Sequence, residues 1–200
     1  MKLLAFTDLH LSNIALKKVK LLVKKSHPDV LVCAGDITIF EEGLDLMLKK
    51  LDSMGKKIIL VNGNHEDDST MERFCRKYKN LVFIHKKSHE ENGCIFLGYG
   101  GSGFSTTEPD FYGPAKKFRD IIKKGKNKKI ILLTHAPPYG TKVDLIVDQH
   151  CGNKTFSDFI RKNRIDLHIC GHLHENFRKE DNIKKTRIIN PGPYGKIIVI

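Results

Sequence analysis

Five apolar stretches, residues 2–6, 29–34, 57–61, 129–133 and 165–170, each stop at residues able to hold a metal ion or a proton. Amphipathic helical segments follow the first four. Ser12 can cap a helix to about residue 25 that presents Ala15, Val19, Leu22 and Val23 on one face. Leu44, Met47, Leu48 and Leu51 repeat at helical spacing, and Gly55 closes that segment. Ser69 and Glu72 have the spacing of a capping box before Met71, Phe74, Cys75 and Tyr78. Phe156, Phe159 and Ile160 mark another buried face over residues 155–162. Strand–helix alternation of this kind predicts an α/β fold with a mainly parallel sheet and right-handed crossovers.

Such sheets bind ligands just beyond the carboxyl ends of their strands. Here those ends deliver Asp8 and His10, Asp36, Asn64 and His65, His135, and His172 and His174. Two imidazoles one residue apart, as in His172-Leu173-His174, cannot share a helix face, but in an extended turn they can reach two neighbouring points. Carboxylate, amide and imidazole donors together suit borderline divalent ions such as manganese, iron, zinc or cobalt. The absence of thiolates from the set argues against a structural zinc site.

The middle of the chain reads differently. Residues 81–84 and 94–98 look like strands around a polar turn at residues 88–92. The glycine-dense segment that follows, residues 98–113, lacks the lysine of a Walker loop and reads as a loop near the site, irregular over 106–111. Pro114 can start a helix with Ala115, Phe118 and Ile122 inward. Beyond residue 174 the tail reads as short strands at 177–179, 187–189 and 196–200. No linker or repeat interrupts the chain, so one domain over residues 1–200 is expected.

Net charge is +12, which raises the question of a nucleic-acid partner. The lysines sit in surface clusters such as Lys49-Lys50 and Lys123-Lys124, without interleaved aromatics, so a solvated surface is the preferred reading and nucleic acid is not favoured. The five cysteines are scattered, with no Cys-x-x-Cys pair, as in a reduced compartment. No apolar run approaches the ~20 residues of a membrane span, and Thr7-Asp8 cuts short the only signal-like run. A cytoplasmic location is expected.

In order, Asp8-Leu9-His10, Gly35-Asp36, Gly63-Asn64-His65-Glu66, His135 and Gly171-His172-Leu173-His174 resemble the motifs of the calcineurin-like metallophosphoesterase family. Residues 190–193, Asn-Pro-Gly-Pro, are similar to the end of that domain. The resemblance implies a four-layer αββα sandwich of two mixed β-sheets flanked by helices. It also implies two divalent ions, with manganese favoured for activity. Asp8, His10, Asp36 and His174 would hold one ion, and Asp36, Asn64, His135 and His172 the other. The implied chemistry is attack on phosphorus by a hydroxide bridging the two ions. His65, not a ligand in the family, would give a proton to the leaving group. Some relatives pair this histidine with a carboxylate three residues after the bridging aspartate. Here that position is Ile39, leaving Glu66 and Asp67 as partners near in sequence, or none.

The implied substrate is a small phosphorylated molecule, nucleotides included, with a phosphodiester ahead of a phosphomonoester. A DNA-repair-type nuclease of the same superfamily is the enzymatic alternative, and a non-catalytic scaffold of this fold is the alternative of another class. Among the other histidines, His27 reads as a helix cap or a surface residue, His85 and His89 as solvated, and His168 as a core residue. His150 lies in a loop that could approach the site.

Overall fold

The computed structural model describes all 200 residues, and its strands divide their side chains between three cores by simple alternation. Strand β1 (Lys2–Phe6) turns Leu4 and Phe6 to one face and Leu3 and Ala5 to the other. Strands β2 (Val30–Cys33) and β3 (Ile58–Leu60) split in the same way, so each is apolar throughout because both faces are covered.

The first sheet runs β13-β1-β2-β3-β4, completed by β4 (Leu81–Phe83) and β13 (Lys196–Val199). Strands β1 to β4 are parallel and β13 is antiparallel. The second sheet comprises β5 (Lys87–Glu91), β6 (Cys94–Tyr99), β7 (Lys129–Thr134), β10 (Leu167–Ile169), β11 (Glu180–Ile183) and β12 (Thr186–Ile189) in the order β11-β12-β10-β7-β6-β5. Its antiparallel strands are the edges, β5 and β11. A small hairpin, β8 (Leu145–Ile146) with β9 (Gln149–His150), stands apart from both sheets.

Helices α1 (Asn13–Ser26), α2 (Leu44–Asp52) and α3 (Asp68–Cys75) cover the outer face of the first sheet through Val19, Leu48 and Met71. Helices α4 (Tyr112–Lys124) and α5 (Lys154–Lys162) cover the second through Phe118, Phe156 and Ile160. Between the sheets, Leu3, Val32 and Ile59 pack with Phe96, Ile131 and Ile169. The result is the expected four-layer αββα sandwich of two mixed sheets.

Local details depart from the sequence reading where side chains other than the periodic ones decide. Asp67 caps α3 by accepting the N–H groups of Ser69 and Thr70, so Ser69 and Glu72 form no capping box. Glu72 pairs with Lys87 and Arg76 instead. Residues 88–92 are mostly the polar edge strand β5, since an edge needs no apolar alternation. Arg178, at φ +69, breaks the expected strand at 177–179, and pairing resumes at Glu180. Pro109 opens a 3-10 turn that leads into α4, which starts at Tyr112, two residues before Pro114. His27 caps α1 in the left-handed conformation, as expected.

Candidate metal centre

Strands β1, β2, β3, β7 and β10 all end at one edge of the sandwich, and the loops there bring the seven candidate ligands together. Asp8, His10, Asp36 and His172 have φ values of +52°, +41°, +50° and +71°. Non-glycine residues avoid this region, and a cluster of them at one edge marks a site whose surroundings enforce the geometry.

Asp36 lies at the middle. Its Oδ2 is 3.3 Å from His135 Nε2, 3.5 Å from His10 Nε2 and 3.9 Å from His65 Nε2. The backbone N–H of His65 donates to its Oδ1 at 3.1 Å. Asp8 accepts the backbone N–H of His172 at 3.2 Å, and its Oδ1 lies 3.5 Å from His174 Nε2. Asn64 Oδ1 is 3.0 Å from His135 Nε2.

The outer nitrogens of two imidazoles fix which nitrogen faces inward. His10 Nδ1 meets the carbonyl of Thr38 at 3.1 Å, and His135 Nδ1 meets that of Ala34 at 2.8 Å. A carbonyl only accepts, so both Nδ1 atoms carry protons and both Nε2 atoms face inward, where each can hold a proton or a metal ion. His10 Nε2 lies 3.2 Å from His174 Nε2, and His172 Nε2 is buried with no hydrogen-bond partner.

The electrostatics show a site drawn to positive charge. Burial works against the ionised forms of Asp36 and His135, yet their mutual contact prevails: it holds the Asp36 carboxyl down at about 2 and His135 up at about 9. The hydrogen bond to Asp8 raises His174, whereas burial drops His172 to about 4. A buried group of two aspartates and several inward imidazole nitrogens is satisfied by protons or by a metal cation.

Glycines permit the close approach. A Cβ on Gly63 would lie 1.8 Å from Asp36 Oδ1, and one on Gly171 would lie 2.0 Å from Thr7 Oγ1 and 2.6 Å from Asp8 Oδ2. The glycines that precede Asn64 and His172 are therefore packing requirements.

The sequence signature of the calcineurin-like phosphoesterase family matches residues 1–176. The chain belongs to this family. An uncharacterised protein of Methanocaldococcus jannaschii is 33% identical over 205 residues, a match covering 96% of this chain and 88% of its own. A Thermus thermophilus crystal structure superposes with a TM-score of 0.77 at 16% identity, covering 96% of this chain and 89% of its own. A Danio rerio structure described as a dimetal phosphatase gives 0.67 at 10% identity, covering 94% and 86%. These two distant structures share the calcineurin-like fold.

Family members bind divalent metals, and the residues present here fit such ions. Asp8, His10 and His174 bring ligand atoms within 4.8 Å of one another, as do Asp8, Asp36 and His135, and also His10, Asp36 and His65. The orphaned Nε2 of His172 and the facing Nε2 atoms of His10 and His174 are what a cation would satisfy.

Other residues fall differently from the sequence reading. His65 acquires neither neighbouring carboxylate: Glu66 turns to backbone donors, Asp67 caps α3, and His65 Nδ1 is buried without a hydrogen bond. His85 is not solvated; its Nδ1 accepts the Gly100 N–H at 2.9 Å, and burial pulls it down to about 4. His150 stays on β9, 2.8 Å from the buried Asp144, and does not line the cleft. His168 is a core residue, 2.8 Å from Thr134 Oγ1. Sequence reasoning missed Phe40 and Phe104, and it took Glu66 as a candidate partner of His65 rather than as a clamp on backbone donors. Only the place of Glu66 directly after Asn64-His65 hinted at a role.

Proposed function

We propose that this protein is a divalent-metal-dependent phosphoester hydrolase, with residues 1–200 acting as one catalytic unit on phosphodiesters ahead of phosphomonoesters. The observation that carries this reading is the convergence of seven donor side chains from five strand ends around Asp36. Asp8, His10, Asp36 and His174 would hold one ion, and Asp36, Asn64, His135 and His172 the second. Manganese is the preferred ion for activity. When bound, the pair supplies Lewis acidity toward the phosphoryl oxygens and an activated water as nucleophile.

The chain's own residues do the rest. Asp36 could serve both ions because its Oδ2 faces His10 of one proposed ligand set and His135 of the other, while Oδ1 is held by the His65 N–H. Asn64 offers a neutral oxygen, so the site keeps more positive charge for a phosphate anion than a third carboxylate would leave. His65 lines the open cleft of about 510 Å³ beside these ligands. There its ring can donate a hydrogen bond to the phosphoryl group and a proton to the departing alkoxide. A second cleft, about 330 Å³ between α4 and α5, contains none of these groups.

The test compares hydrolysis of bis-p-nitrophenyl phosphate and p-nitrophenyl phosphate by manganese-reconstituted protein, with Asp36→Asn as the control. Diester turnover above monoester turnover, lost in the control, is expected. The opposite preference would make the protein a phosphomonoesterase, and no metal-dependent turnover of either ester would contradict the reading.

A further inference from the structure

The rim of the cleft is apolar although the protein is strongly basic. Net charge is +12, yet none of the 11 residues lining the cleft is Lys or Arg, and its carboxylates are Asp36 and Glu175. Substrates with further phosphates or a polyanionic backbone are ordinarily met by arginine and lysine outside the reacting centre. Here such groups would meet Glu175 and hydrocarbon.

The hydrocarbon is specifically placed. Phe40 is 78% exposed and its ring centroid is 4.6 Å from that of His65. Phe104 is 68% exposed and lies 4.4 Å from His172. Ile39 and Ile146 line the cleft between ligand-bearing loops. Single exposed apolar residues are ordinary on protein surfaces, but two phenylalanines against two site imidazoles are not scattered. Phe40 is also held at φ +47 and Glu41 at φ +65, a conformation unfavourable for a bulky side chain. Strain of this kind gathers at ligand sites.

We propose that Phe40 and Phe104 form an aromatic rim that selects phosphoesters bearing a planar, uncharged organic group, and disfavours polyanionic substrates. This rests on the phosphoester-hydrolase reading above. The phosphoryl group would be drawn to the centre, while the organic group lies on the exposed ring faces, where offset or edge contacts between rings are favourable.

The test is binding of phenylphosphonate and methylphosphonate, neither of which has an ester bond to hydrolyse, to the manganese-loaded protein by calorimetry. Two aromatic contacts should give phenylphosphonate on the order of a tenfold tighter dissociation constant. The double variant Phe40→Ala/Phe104→Ala, confirmed as folded by its unfolding transition, should lose that preference. Equal affinities in the unsubstituted protein, or a preference that survives the double substitution, would overturn the rim while leaving the phosphoester site standing. Metal-independent or absent binding of both phosphonates would overturn both readings. A single-stranded oligonucleotide bound more tightly than phenylphosphonate would overturn the rim alone.

Discussion

Glu66 is fastened to Asp36: its Oε2 accepts the Asp36 backbone N–H at 3.1 Å and the Gly63 N–H at 3.0 Å. Its Oε1 accepts the N–H and the hydroxyl of Thr38 at 2.8 and 2.9 Å. One buried carboxylate thus clamps the loops after β2 and β3, which carry Asp36 and Asn64. Glu66→Gln puts an amide NH2 against one of these donor pairs and should lower the unfolding free energy by roughly 2–4 kcal/mol. Urea unfolding measures this, and manganese titration of the same variant should show weakened binding. A loss within about 0.5 kcal/mol, the range of ordinary surface substitutions, would show that the clamp is not structural.

Gly171→Ala tests whether the motif glycines serve packing. The added Cβ falls 2.6 Å from Asp8 Oδ2, so Asp8 or the His172 turn must shift. Far-ultraviolet circular dichroism should remain native, because the contact lies in the loops just past β1 and β10 rather than within them. Manganese affinity should fall by roughly tenfold or more, equal to about 1.4 kcal/mol. Unchanged affinity would contradict the proposed role of Asp8 as a ligand.

His168 gives the protein an acid-sensitive core. Burial holds it down at about 3, and Thr134 Oγ1, which donates to the Ala136 carbonyl, must accept its Nε2–H. Between the unfolded value of about 6.5 and the folded value, the unfolded chain binds a proton that the native chain does not. Its stabilising contribution is therefore complete above pH 6.5 and is lost as pH falls toward 3. Denaturant unfolding from pH 7 to 4 should show stability declining, and His168→Leu should flatten that slope by about one proton, 1.4 kcal/mol per pH unit. A variant with the same slope would exclude His168 as the origin.

His65→Asn separates proton donation from metal binding. The hydrogen bond from residue 65 to Asp36 uses the backbone and survives the change. Turnover of an alkyl phosphoester should fall by ~10²–10⁴-fold. Turnover of a p-nitrophenyl ester, whose leaving group departs as a stable anion, should fall far less. Equal losses on the two esters would contradict the role of general acid.

The layer architecture and the convergence of the candidate ligands were legible because both follow from apolar runs and from what stands just past them. Coverage on both faces left continuous apolar stretches at β1, β2, β3 and β7, which are hard to miss, while β10 is interrupted by His168. The edge strand β5 carries no such signal: it is Lys-Ser-His-Glu-Glu and pairs through its backbone alone. His85 looked solvated because its neighbours are lysines, whereas its burial depends on Tyr99, a residue distant in sequence, whose ring centroid is 5.0 Å away. The same holds for Phe40 and Phe104, which no periodicity marks and which meet the site only through the folding of two loops. Position relative to a strand end is a local property; which face a loop side chain turns to the site is not.

The most direct test of the central claim is an anomalous-scattering map from crystals grown with manganese. Two peaks are expected, both within coordination distance of Asp36, one beside His10 and His174 and the other beside His135 and His172. In Asp36→Asn at least one peak should be lost. A single peak remote from Asp36, or none, would contradict the dinuclear centre on which the proposed function rests.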